Sequence, residues 1–88
     1  MSWTFLSNHG HVIVQLAQSP DLKISELADR VGITERRVAA ILKELQDAGY
    51  ISVTKDGRRN IYSVNTNGKL RHDAENNKSL GDLLRIWS

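Results

Sequence analysis

Hydrophobic positions recur at helical spacing through the first half of the chain and at strand spacing just beyond it. Val12, Ile13, Leu16 and Ala17 form one apolar stripe, the mark of an amphipathic helix. Ser7 stands before it as a capping residue, with Asn8 onward inside the helix, and Ser19-Pro20-Asp21 stops it. Lys23-Ile24 reads as a short bridge-like strand. Ser25 then caps a second helix whose Leu27, Ala28 and Val31 face inward. Gly32 ends that helix in a conformation only glycine adopts cheaply. Thr34 caps a third helix running to Ala48, in which Val38, Ile41, Leu42 and Leu45 fall at i, i+3, i+4 and i+7, the spacing of a buried face. Gly49 ends it.

From Tyr50 the period changes. Tyr50-Ile51-Ser52-Val53-Thr54 alternates apolar and polar, as Ile61-Tyr62-Ser63-Val64 does less cleanly, and Lys55 to Asn60 joins the two. Asp56-Gly57 supplies the hairpin turn signal. Asn65 to Asn77 is polar and without period, and reads as a loop. Ser79 caps a last helix, about 79–87, bearing Leu80, Leu83, Leu84, Ile86 and Trp87. The expected fold is mostly α with a small antiparallel β-hairpin. Two short helices joined by a glycine turn and trailed by a hairpin are the layout of a winged helix-turn-helix, which sets one helix into a DNA major groove. With 88 residues and no internal repeat, residues 1–88 read as a single domain with a modest core.

Charge sharpens this picture. The net charge is +2, but residues 34–71 carry +4 while the segments before and after each carry −1. Nucleic-acid binders concentrate basic residues this way, because neutralising phosphates supplies much of their affinity. The outward positions of the third helix are Thr34, Glu35, Arg36, Arg37, Ala39, Ala40 and Lys43. Arginine can pair with guanine edges or phosphates, and alanine can pack on a thymine methyl. Ser25, Lys55, Arg58, Arg59 and Asn60 join them as candidate DNA contacts, the two arginines placed at the hairpin tip to enter a minor groove or clamp the backbone.

Leu27-Ala28-Asp29-Arg30-Val31-Gly32-Ile33-Thr34-Glu35-Arg36, with Leu45-Gln46-Asp47-Ala48-Gly49-Tyr50-Ile51 and Gly57-Arg58-Arg59-Asn60-Ile61-Tyr62, resembles the short MarR/ArsR-type winged-helix transcriptional regulators of prokaryotes. Trp3 to His9 and Leu70-Arg71-His72 extend the resemblance along most of the chain. It implies binding to double-stranded DNA and regulation of transcription. Two departures stand out. The thiolates of ArsR-type metal sensors are missing, since there is no cysteine, and Ala39 and Ala40 occupy positions that usually hold polar or basic residues. The second departure shifts weight from base readout toward backbone contacts, wing contacts and DNA shape.

Other chemistry is excluded or set aside. Nothing resembles a nucleophile with its base, a phosphate-binding glycine loop or a metal triad, so no enzyme activity and no cofactor are expected. His9 and His11 lie two apart on a helix and point in different directions, and His72 is remote, so no metal site is expected. Glu44 and Asp47 read as a solvated face outside any cleft. No apolar run approaches a membrane span and the amino terminus has no secretion-signal pattern. With no cysteine, these features point to a cytoplasmic protein without a membrane partner. Trp3, Phe5, Leu80, Leu83, Leu84 and Trp87 form a large apolar surface at the two ends of the chain, and a symmetric homodimer is the expected use of it, with closure of the monomer core as the alternative. The rival to DNA binding is a winged helix that has lost it and serves as a protein-interaction module, Ala39-Ala40 with Glu35 being what partial loss of DNA binding would look like. RNA binding lacks stacking aromatics among the basic positions.

Overall fold

The first helix, α1 (Asn8–Gln18), starts where Ser7 caps it, the Ser7 hydroxyl accepting the Gly10 N–H at 3.3 Å. The computed structural model describes residues 3–87. Met1, Ser2 and Ser88 of the expected 1–88 domain lie outside the described residues. Val12, Ile13, Val14 and Leu16 are buried, while Ala17 of the expected stripe is exposed. Three consecutive buried positions exceed a one-sided stripe, because α1 packs against two further helices and the second strand and so is covered around most of its girth.

Helix α2 (Ile24–Val31) begins earlier than its serine suggested. Ile24 is its first helical residue, so Lys23-Ile24 is not a strand, and Ser25 lies inside the first turn rather than at the cap. The reason is Glu26, whose carboxylate accepts the Lys23 backbone N–H at 2.9 Å. A Glu three residues along fixes the start of a helix at the residue whose amide it reaches. Helix α3 (Glu35–Asp47) begins at Thr34 as expected, with the Thr34 hydroxyl accepting the Arg37 N–H at 3.1 Å.

The hairpin is longer than the alternation predicted. Strand β1 (Ile51–Asp56) pairs antiparallel with β2 (Arg59–Val64), from Ile51 opposite Val64 to Asp56 opposite Arg59. The connection shrinks from six residues to two, Gly57 and Arg58, because Lys55, Asp56, Arg59 and Asn60 are in register. The turn therefore lies one residue beyond the Asp56-Gly57 signal. Gly57 takes φ +65° while Arg58 stays at negative φ, the pattern of a type II′ turn, whose twist matches that of the strands. The base of the hairpin is tied to the helices, since Tyr62, buried, donates its backbone N–H to the Pro20 carbonyl at 3.0 Å.

Residues 65–77, read as a loop from the sequence, belong to an ordered excursion over 65–79 that returns to the hairpin base. The Leu70 N–H donates to the Lys78 carbonyl at 3.0 Å, Lys69 and Ser79 form an antiparallel bridge, and the Leu80 N–H donates to the Gly68 carbonyl at 2.7 Å. The Tyr50 hydroxyl donates to the Lys69 carbonyl. The last helix is shorter than expected: α4 (Leu80–Leu84) passes into a 3₁₀ turn over Arg85–Trp87. Leu80 and Leu84 are buried in the chain's own core, which removes both from the surface assigned to a dimer. Trp3 and Phe5 do not fold over the core. They are 68% and 94% exposed and meet edge-to-face with centroids 4.9 Å apart, while Leu6 packs inward in their stead. The centre of the core is Val12, Leu16, Leu27, Val38 and Ile41.

Candidate nucleic-acid interface

The α2–α3 turn is built by one glycine. Gly32 has φ +83° and ψ 33°, and a Cβ there would meet nothing within 4 Å, so glycine is required by its backbone conformation rather than by crowding. The amides of Gly32 and Ile33 both donate to the Ala28 carbonyl, at 2.8 and 3.1 Å. This closes α2 and sends the chain directly into the Thr34 cap.

Val38 and Ile41 have no exposed surface and Leu42 and Leu45 are also buried, which fixes the rotation of α3 about its axis. At 3.6 residues per turn, Arg36, Ala39, Ala40 and Lys43 then share the opposite face, with Glu35 and Arg37 on its two flanks. All six are exposed. Among the described residues Arg36 and Arg37 have no acidic partner, whereas Lys43 is paired with Asp47 at 3.2 Å in an exposed, readily exchanged contact. Glu35 in the first turn complements the helix dipole.

The remaining candidates lie on other elements. Ser25 is exposed in the first turn of α2. Lys55 and Asn60 face each other across the hairpin and are exposed. Arg58 is at the turn itself and, among the described residues, has no ion-pair partner. Arg59 behaves differently: its guanidinium donates to the Asp21 carbonyl at 3.2 Å and lies 3.4 Å from the Asp21 carboxylate, which ties the wing to the α1–α2 connection. The two tip arginines are therefore not equivalent.

A groove of about 1050 Å³, without a signature in the sequence, lies between α1, the C-terminal half of α3 and the 65–79 excursion. Glu44 and Asp47 line it together with Leu45, Tyr50, Leu70 and Leu83, which corrects their reading as residues outside any cleft. Glu44 is also not simply solvated, since its carboxylate lies 2.7 Å from His9 Nε2 and joins the start of α1 to α3. No local signal in the sequence reports a contact between positions 35 residues apart. Among the described residues no group of three or more His, Asp or Glu is placed to hold a metal ion, and no helix is long and apolar enough to cross a membrane.

Residues 8–52 match the winged helix-turn-helix DNA-binding family, a span from the start of α1 to the start of β1. The chain belongs to this family. The family is one of DNA-binding domains, not of enzymes. Among solved structures, this winged helix is similar to a MarR family protein of Mycobacterium tuberculosis in complex with salicylic acid, at 28% identity and a TM-score of 0.56 over 68% of the chain. It is also similar to AdcR, a zinc-dependent MarR family transcriptional regulator in its Zn(II)-bound state, at 28% identity and a TM-score of 0.53 over 74% of the chain. The winged helix covers 47% of each of those two chains, about half their length. No curated protein matches it.

Proposed function

We propose that this winged helix binds double-stranded DNA as a transcriptional regulator, with α3 in the major groove and the Arg58 turn on the neighbouring minor groove or backbone. The observation that carries the reading is the outer face of α3. It is held outward by a buried opposite face, and among the described residues its two N-terminal arginines have no acidic partner. Lys55 and Arg58 extend the positive charge onto the wing. Similarity to two MarR family proteins supports the regulatory role and a cytoplasmic location.

Arg58→Ala tests the wing. The variant should keep the wild-type melting temperature and bind a mixed-sequence duplex more weakly, with a shallower dependence on salt, as loss of one phosphate contact requires. An unchanged slope would remove the wing from the interface.

The domain is proposed to work as a homodimer, as regulators with two-fold operators do. Trp3, Phe5, Trp87 and half-buried Leu83 remain available for that contact, and the first two are exposed to an extent unusual for aromatic residues. Sedimentation equilibrium should give twice the monomer mass for the full chain and the monomer mass for Phe5→Ser. A monomeric wild-type chain at micromolar concentration would contradict this.

A further inference from the structure

Resting on the DNA-binding reading, we propose that Ala39 and Ala40 are specificity-determining residues that read pyrimidine 5-methyl groups, so that the domain selects sites in which thymines lie beside a guanine contacted by Arg36. The outer face of α3 lacks polar groups at its centre. Val38, Ile41, Leu42 and Leu45 are buried, so the helix cannot rotate to offer another surface without exposing its core. The middle of the offered face consists of Ala39 and Ala40, both exposed, and neither carries an atom able to donate or accept a hydrogen bond. Beyond them Lys43 is engaged with Asp47, which also places a carboxylate toward that end of the helix. Hydrogen-bonding readout at the N-terminal and central part of the face therefore rests on Arg36 and its flanking neighbours Glu35 and Arg37, with the exchangeable Lys43 ammonium beyond the two alanines.

The C5-methyl of thymine is the one methyl group that the four base pairs display in the major groove; the cytosine C5–H is apolar but carries no methyl to pack against, and the other recognition groups are hydrogen-bond donors or acceptors. A methyl-bearing side chain at the centre of a recognition face contacts that group favourably, gains less contact from the bare cytosine C5–H, and leaves a donor or acceptor unsatisfied if it covers a purine edge. The small size of alanine matters as well, since two adjacent alanines let the helix axis approach the groove floor. Arg36 lies one turn toward the N-terminus on the same face, at i−3 and i−4 from the two alanines, and is long enough to reach the O6 and N7 of a guanine adjacent to the contacted methyls.

The test begins with duplexes selected by the full chain from a randomised pool. Each thymine of a selected duplex is then replaced in turn by deoxyuridine, which removes the methyl and leaves the pairing edge intact. One or two positions should weaken wild-type binding by about fourfold each, the expected effect of one buried methyl-sized group. In Ala39→Ser/Ala40→Ser the difference between thymine and uracil at those positions should collapse, whereas in Arg58→Ala it should persist while overall affinity falls. Equal affinity for thymine and uracil duplexes at every position would overturn the inference and leave DNA binding intact. A thymine preference unchanged in the serine variant would assign it to DNA shape and overturn it equally. Failure to select or bind any duplex would instead count against the DNA-binding reading itself.

Discussion

Val38 is the residue on which the outward face of α3 most depends. It has no exposed surface and lies between the helix and the core centre formed with Leu16, Leu27 and Ile41. Val38→Asp would bury a carboxylate without a partner, a change that costs several kcal/mol and exceeds what a domain of this size can absorb. The variant should show no cooperative thermal unfolding transition by circular dichroism. A wild-type melting curve would mean that α3 is rotated differently. Single residues also mark where the sequence was legible. Thr34, Gly32 and the four core positions of α3 declared themselves because cap chemistry, positive φ and helical spacing are local properties. Ser25 misled because a serine is a good cap only when no neighbour defines an earlier start, and Glu26 does. Arg59 misled because its partner, Asp21, lies 38 residues away.

At the scale of elements, α4 is the least autonomous part of the fold. Five residues make barely one turn, and what holds them is Ser79, whose hydroxyl accepts the Asp82 N–H at 3.1 Å while Asp82 accepts the Ser79 N–H at 3.0 Å. Hydrogen bonding to the carboxylate from the Ser79 backbone N–H and then from the Ser79 side chain, with help from Arg85 and Lys78, holds the Asp82 carboxyl below its ordinary value of 3.8. A carboxyl whose pKa is lower in the folded state stabilises the fold above its unfolded value, and that stability is lost as pH falls through the folded value. Asp82→Asn should therefore melt below the wild type at neutral pH, and the gap should close as pH falls below about 3.8. A gap independent of pH would show that the carboxylate charge plays no part in the cap. The helix cap was visible in the sequence, but the 65–79 excursion before it was not. Its order comes from backbone hydrogen bonds between Gly68 and Leu80 and between Leu70 and Lys78, and from the Tyr50 hydroxyl on the Lys69 carbonyl. Such bonds leave no periodicity, whereas the hairpin, with its alternation and its glycine, was legible to within one residue at the turn.

For the whole molecule, the α2-turn-α3 unit follows from the sequence because nearly every determinant is local, while the closing of the groove between α1, α3 and the excursion depends on which elements come together. The same distinction separates the two tip arginines: one is anchored to the α1–α2 connection, and the other is left for a partner. The basic stretch at residues 34–71 with its +4 charge is the global counterpart of this local arrangement. The two acidic flanks keep the net charge at +2, so attraction to a polyanion is focused on α3 and the wing rather than spread over the surface.

The most direct measurement is fluorescence-anisotropy titration of a mixed-sequence duplex with wild type and Arg36→Ala/Arg37→Ala across a range of salt concentrations. Both arginines are exposed and, among the described residues, without acidic partners, so the variant should keep its fold and melting temperature. Wild type should bind in a salt-sensitive manner, and the variant should bind more weakly with a slope shallower by about one to two phosphate equivalents. Wild-type binding that the double substitution leaves unchanged, or no wild-type binding even at low salt, would contradict the assignment of α3 as the DNA-contacting helix.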